Sequence, residues 1–374
     1  MSEAKGNPLL QLPKMGQSVW LDYLHRRILD SGELAHLIGE DGLRGVTSNP
    51  QIFQEAITGG DTYDEAIRDL VNQGKNADEI YETLAIEDIQ RAADLFRAVY
   101  DSSGGRHGFV SLEVNPHLAR DTEGTIHEAR RLWQALERPN VFIKVPATLE
   151  GLPAITRLIA EGVNINVTLL FGLPRYREVA EAYLAGLEER LRQDLPVNRV
   201  ASVASFFLSR IDVLVDSLLE EKIKASGQAA KLAGNLKGEV AIASARNAYQ
   251  IFKELFHGDR FERLATHGAR PQRVLWASTG TKDPEYSDVK YVEPLIGPQT
   301  VNTLPLKTLK AYRDHGEPES RLDRNLDKAR KVLEDLAETG INLDQVTRQL
   351  EEEGIEKFNK PFDKLMASLE AHKK

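Results

Sequence analysis

The chain has 374 residues, 41% of them hydrophobic, and its 48 basic against 57 acidic side chains leave a formal net charge of −9. That composition suits a globular protein with a sizeable core, and the acidic balance argues against a nucleic-acid or anionic-membrane surface, where Lys and Arg must neutralise phosphates. With no cysteine, disulfides, thiolate nucleophiles, zinc-thiolate sites and iron-sulfur clusters are excluded together, and a reducing cytoplasm is the expected compartment.

Residues 1–20 carry Glu3 early and lack an apolar core between a basic flank and a small-residue cleavage site, so no secretory signal is expected. No apolar run reaches the ~18 residues that span a bilayer. Short β-branched runs then recur at 19–23, 43–47, 109–114, 141–145, 165–170, 200–207, 274–277 and 300–304. Strand-sized segments separated by helical ones are the signature of βαβ units, and eight of them predict an α/β fold, a parallel (β/α)8 TIM barrel. Between them, Leu208, Ile211, Val215 and Leu218, and then Ala241, Ala245, Ala248 and Phe252, keep helical spacing. Thr62 with Glu65 reads as a capping box. The spacers 50–108 and 209–273 exceed one crossover and predict extra helices. Beyond the eighth run come two further stripes, Leu322, Leu326, Ala329, Leu333 and Leu336, then Phe358, Phe362, Leu365 and Leu369. The expectation is one domain over 1–374, a barrel at about 16–315 with a helical extension at 316–374 that caps it. A coiled-coil dimer arm competes, but its heptad spacing breaks at Gly340. Either a monomer or a homodimer fits the sequence.

Seven of the runs finish in polar side chains: Asp22; Thr47 and Asn49; Glu113 and Asn115; Lys144; Asn166 and Thr168; Ser205; Ser278. In a barrel these ends share the C-terminal face, where barrel enzymes place their chemistry. Lys144, within Val-Phe-Ile-Lys-Val-Pro, either snorkels or pairs with Glu113, as strand-end lysines commonly do, or is a Schiff-base nucleophile. Burial among apolar neighbours disfavours an ammonium and supplies the neutral amine that attacks a ketone. An ionised Glu113 in contact would oppose this, so the two are expected to meet indirectly, through a water. Asn166 and Thr168 share a strand face. Asn49 and Asn115 precede prolines and also suit simple loop starts, and Asp22 also suits a helix cap. Ser209 reads as an N-cap, which sets Arg210 in a first helical turn as an anion clamp. Ser278-Thr-Gly-Thr-Lys282 offers a second cradle for an anion. Nine scattered histidines form no ligand spacing, and no Gly-x-Gly-x-x-Gly follows the first run, so neither a metal nor a dinucleotide cofactor is expected.

On Gly-Val-Thr-Ser-Asn-Pro (45–50), Val-Ser-Leu-Glu-Val (110–114), Val-Phe-Ile-Lys-Val-Pro (141–146), Asn-Val-Thr-Leu-Leu-Phe (166–171) and Ser-Phe-Phe-Leu-Ser-Arg-Ile-Asp (205–212), the sequence resembles the transaldolases. Its length and its Trp-Ala-Ser-Thr-Gly-Thr-Lys segment resemble the longer bacterial branch. The resemblance implies a cofactor-free transfer of a dihydroxyacetone unit from sedoheptulose 7-phosphate or fructose 6-phosphate to glyceraldehyde 3-phosphate or erythrose 4-phosphate, in the pentose phosphate pathway. It implies Lys144 as the Schiff-base lysine, Asp22 as the acid/base at the C4 hydroxyl, and Glu113 acting through a water held by Thr168. Asn49, Asn166 and Ser205 would bind the substrate, and Arg210 its phosphate. Many members carry a second phosphate-binding Arg after the seventh strand; here Ser278 leads to Lys282 as its substitute. Phe207 would line the site where the related aldolases carry a tyrosine. Two other readings are a free fructose 6-phosphate aldolase and a non-catalytic barrel that binds sugar phosphates.

Overall fold

The computed structural model describes residues 6–224 and 228–372; Glu3 and the other residues of the extreme N-terminus lie outside the described residues. Eight strands, β1 (Gln17–Asp22), β2 (Gly45–Thr47), β3 (Phe109–Glu113), β4 (Val141–Pro146), β5 (Ile165–Leu170), β6 (Ser202–Phe207), β7 (Arg273–Ala277) and β8 (Thr300–Leu304), pair in parallel in that order. β8 returns to β1 and closes the barrel, so no edge is left open. Each strand is buried almost throughout, which is why it reads as an apolar run without alternation.

Side chains two apart share a strand face, so Trp20 points inward with Asp22, Phe142 with Lys144, and Phe109 with Glu113. The three rings stack inside the barrel, Phe109 on Phe142 at 4.3 Å between centroids and Trp20 on Phe142 at 6.0 Å. They form an apolar layer beneath the polar one. Gly45 is required by this layer, because a Cβ there would stand 2.5 Å from the Trp20 indole.

Both long spacers hold additional helices: Pro50–Thr58, Asp64–Asn72, Ala77–Leu95 and Arg97–Ser102 in the first, and Ser209–Ile223, Gln228–Leu236, Val240–Phe256 and Asp259–Ala265 in the second. The capping box expected at Thr62 is not formed; the helix begins after Tyr63 with no side-chain cap. The Tyr63 hydroxyl donates to Asp88 and accepts from the Arg26 amide, while the Asp64 amide bonds the Asp61 carbonyl. The capping box stands instead at Asn76 and Glu79.

The C-terminal helices Leu326–Glu338 and Leu343–Ala371 bury their stripes within the chain. The first packs on Val240–Phe256, and the second crosses the helices Pro50–Thr58 and Ala77–Leu95. Neither presents the open apolar seam a coiled-coil arm needs. Gly354, inside the longer helix, brings it close to the end of β5, since a Cβ there would stand 3.0 Å from Leu169. No helix among the described residues is long and apolar enough to cross a membrane.

Candidate active site

At the C-terminal mouth, one cavity of about 180 Å³ is lined by Asp22, Asn49, Lys144, Thr168, Ser205, Phe207, Arg210, Ser278 and Lys282. Nine residues singled out from six different stretches of sequence therefore meet in one place.

The Glu113–Lys144 pairing in the β3–β4 register sets the two side by side. Lys144 Nζ is 2.8 Å from Glu113 Oε2 and donates to the Ser48 carbonyl at 2.9 Å, with both side chains almost fully buried. Direct contact replaces the water-mediated one expected from sequence. Burial pushes the Glu113 carboxyl above its ordinary range, opposed by the Lys144 charge and helped by Asp22. A carboxyl so raised takes up a proton more readily than an exposed one, which fits it to exchange protons beside Lys144 Nζ. Glu113 itself lines a neighbouring cavity of about 210 Å³ with Asn115, so Asn115 is not brought to the lysine. Its side chain accepts from the His117 amide, as a simple loop start does.

Asp22 accepts a 2.6 Å bond from the Thr47 hydroxyl, which lies 2.7 Å from that of Thr303. Burial raises the Asp22 carboxyl above the ordinary carboxylate range, against the Thr47 bond and the charges of Lys144, Lys282 and Arg210. Asp22 does not cap a helix; His25 caps the short helix that follows. Thr303 supplies the polar end of the eighth strand. The last run, closing Thr303-Leu304, carried that signal.

Asn166 stands behind the cavity wall. Its amide donates to Ser111 at 3.1 Å and its oxygen accepts from Ser205 at 2.7 Å, so it orients Ser205. Thr168 Oγ1 is buried and has no partner among the described residues. Immediately after it, Leu169 has φ 55°, and the β5–β6 register shifts between Val167 and Leu170. A bulky residue in the left-handed region is strained, and bulges beside active sites commonly re-aim a neighbouring side chain. Asn49 caps the helix Pro50–Thr58 through its oxygen, which leaves its amide group for the cavity.

Ser209 is not the N-cap expected of it. That place belongs to Leu208, and the Ser209 hydroxyl bonds that of Ser278 at 2.8 Å, so Arg210 still falls in the first turn. Arg210 Nη1 is buried without a hydrogen-bond partner among the described residues, and its guanidinium lies 5.6 Å from the Phe207 ring and 5.9 Å from that of Phe358. Burial lowers the Arg210 pKa, against the charges of Asp22 and Glu353. Lys282 approaches from an exposed loop. Asp212 and Asp216 tie that loop to the Arg210 helix by accepting from Tyr291 and Tyr286, each at 2.8 Å.

Phe358, from the C-terminal helix, closes the cavity with its ring 5.8 Å from Lys144 Nζ. Sequence gave it only as one position of an apolar stripe. The site as a whole offers a buried amine with a proton acceptor, a second desolvated carboxylate, and two cations at one end.

The profile of the family described as Transaldolase/Fructose-6-phosphate aldolase matches residues 19–369. The chain is 49% identical to a transaldolase of Trichodesmium erythraeum over 97% of each chain. It is 48% identical to one of Thermobifida fusca, over 96% of this chain and 97% of the relative. It is also 47% identical to a transaldolase 2 of Nostoc punctiforme, over 97% of each. A match of that extent over a barrel that gathers these residues means that the chain belongs to the transaldolase/fructose-6-phosphate aldolase family.

Proposed function

We propose that the protein is a transaldolase, carrying a dihydroxyacetone unit from sedoheptulose 7-phosphate or fructose 6-phosphate to an aldose phosphate. The observation that carries this reading is the shared cavity of Lys144, Asp22, Arg210 and Lys282, which sets nucleophile, base and phosphate cations around one space. Lys144 passes its proton to Glu113 and attacks the C2 ketone. The carbinolamine loses water, with Glu113 and Thr168 managing that water, and an iminium forms. Asp22 takes the C4 hydroxyl proton, the C3–C4 bond breaks toward the iminium, and the aldose phosphate leaves. The remaining enamine attacks the aldehyde carbon of an acceptor, Asp22 returns the proton to the new hydroxyl, and hydrolysis frees Lys144. Asn49 and Ser205 hydrogen-bond the substrate, Asn166 supports Ser205, and Ser278 flanks the phosphate end.

Arg210→Ala is expected to weaken phosphorylated ketoses about tenfold to 150-fold in kcat/KM, the worth of a charge-assisted hydrogen bond of about 1.5–3 kcal/mol. Steady-state kinetics on fructose 6-phosphate and unphosphorylated fructose check this. Equal losses on the two sugars would make Arg210 scaffold instead of phosphate receptor.

Phe207 supports transfer over free aldol cleavage. It packs on Phe171 at 5.2 Å and gives the cavity an apolar wall without a proton to donate, so the enamine outlives the first product. Phe207→Tyr is expected to raise acceptor-independent release of dihydroxyacetone from fructose 6-phosphate and to lower transfer to erythrose 4-phosphate. Product ratios measured with and without acceptor decide it, and an unchanged ratio in a folded variant removes Phe207 from that role.

A further inference from the structure

The opposite mouth of the barrel holds a larger cavity, about 690 Å³, lined by Phe109, Phe142 and Arg273 from the strands and by Arg106, His107 and Arg270 from the loops before them. Its charge is unbalanced. Arg273 donates to the Ser18 hydroxyl at 2.9 Å and the Arg106 carbonyl at 3.0 Å, while Arg270 donates to the carbonyls of Gly104 and Gly105. All of these acceptors are neutral. Arg106 is exposed, and its guanidinium has no hydrogen bond or ion pair among the described residues. Burial and the charge of Arg270 push Arg273 down to about 10, and no carboxylate among the described residues offsets either group. Burial and the charges of Arg273, Arg44 and Arg106 push His107 to about 4, so the imidazole is neutral at neutral pH.

Elsewhere on this acidic chain many arginines meet carboxylates: Arg26 holds Asp88, Arg260 holds Glu188 and Arg321 holds Glu293. Three guanidinium groups converging with none repel one another and cost stability, and the N-terminal face of a barrel serves stability unless something else acts there. Guanidinium forks match phosphate oxygens in pairs. Beside them the stacked rings of Phe109 and Phe142, 4.3 Å apart, give an apolar floor. The volume lies within the range of about 300–1,000 Å³ typical of ligand pockets, more than inorganic phosphate fills.

We propose that this N-terminal mouth binds a small organic phosphate, with the phosphate against Arg106, Arg270 and Arg273 and the uncharged part against Phe109 and Phe142. The site is independent of the reaction assigned to Lys144. Phe142 separates the two ends, standing two residues below Lys144 on the same strand face.

Titration calorimetry of the full chain with adenosine 5′-monophosphate, glucose 6-phosphate and inorganic phosphate tests it in three proteins: unaltered, Arg106→Glu and Arg210→Ala. The Arg106→Glu reversal alters an exposed side chain that anchors nothing, so the fold survives it, and a thermal unfolding midpoint verifies that. At least one organic phosphate is expected to bind more tightly than inorganic phosphate. Arg210→Ala should retain that binding, and Arg106→Glu should weaken it about tenfold or more. Three outcomes overturn the proposal: no binding of any probe at millimolar concentration, loss in Arg210→Ala with retention in Arg106→Glu, or inorganic phosphate binding as tightly as the organic probes.

Discussion

Lys144→Met should abolish transfer of dihydroxyacetone, lowering kcat by about 10⁴-fold or more, on the scale of removing a nucleophile from a covalent catalyst. Methionine is chosen because its unbranched stem fills the space of the lysine above Phe142 while removing the amine. The risk in such a change is the buried Glu113 left without its cation, since stranding one partner of an ion pair can cost about 3–5 kcal/mol. Here burial already raises the Glu113 carboxyl, so it can take up a proton and become neutral, and the variant should remain folded. The companion measurement is chemical. Borohydride added with fructose 6-phosphate should inactivate the unaltered protein irreversibly and leave a reduced adduct on Lys144, as read by mass spectrometry. Lys144→Met should form none. An adduct on a different lysine, or full activity in the variant, would refute the Schiff-base assignment.

How far the sequence foretold this site depends on the kind of feature. Strands buried on both sides show as continuous apolar runs, so all eight were legible, with ends displaced by a residue or two. At 43–47 only Gly45–Thr47 is strand; Leu43 instead bonds back to Leu37 at the end of the preceding helix. Polar residues at strand ends were legible for the same reason, because an apolar run makes its interruption conspicuous. Contacts fixed by register were not. That Glu113 touches Lys144 directly follows from the β3–β4 pairing, which neither strand encodes alone. Local caps failed at Thr62, where the helix starts uncapped after Tyr63 and the Asp64 amide bonds the Asp61 carbonyl, and at Ser209, whose hydroxyl bonds Ser278 instead. Phe358 was hidden differently: a helical stripe says which face is buried but not what it covers, and this one covers the lysine. The cationic mouth at Arg273 was invisible because Arg106 lies far in sequence from Arg270 and Arg273, and the net charge masks a local excess.

Asp22→Asn carries the second large effect, a loss of about 10²–10⁴-fold in kcat, the usual contribution of a positioned general base. The amide keeps an oxygen to accept the Thr47 bond, so the change removes basicity with little change in shape. Because Asp22 acts at carbon–carbon cleavage, after the imine has formed, borohydride should still trap the variant on Lys144 with fructose 6-phosphate. Loss of trapping would move Asp22 to an earlier step. The pH dependence follows from its environment. The folded carboxyl sits above its ordinary value, so activity in the unaltered protein should fall as pH drops through that raised value and Asp22 becomes protonated. Stability should run the other way. Between the ordinary and the raised value the folded state binds more protons than the unfolded one, so stability falls as pH rises through that window. Well above it the desolvated carboxylate lowers stability, and Asp22→Asn should unfold at a higher temperature than the unaltered protein at pH 7. Below the ordinary carboxylate range both states of Asp22 are protonated, and that advantage should vanish. Thermal unfolding of the two proteins at acid and neutral pH measures it, and a variant no more stable at pH 7 than its parent would mean that Asp22 is not held desolvated for its role as a base.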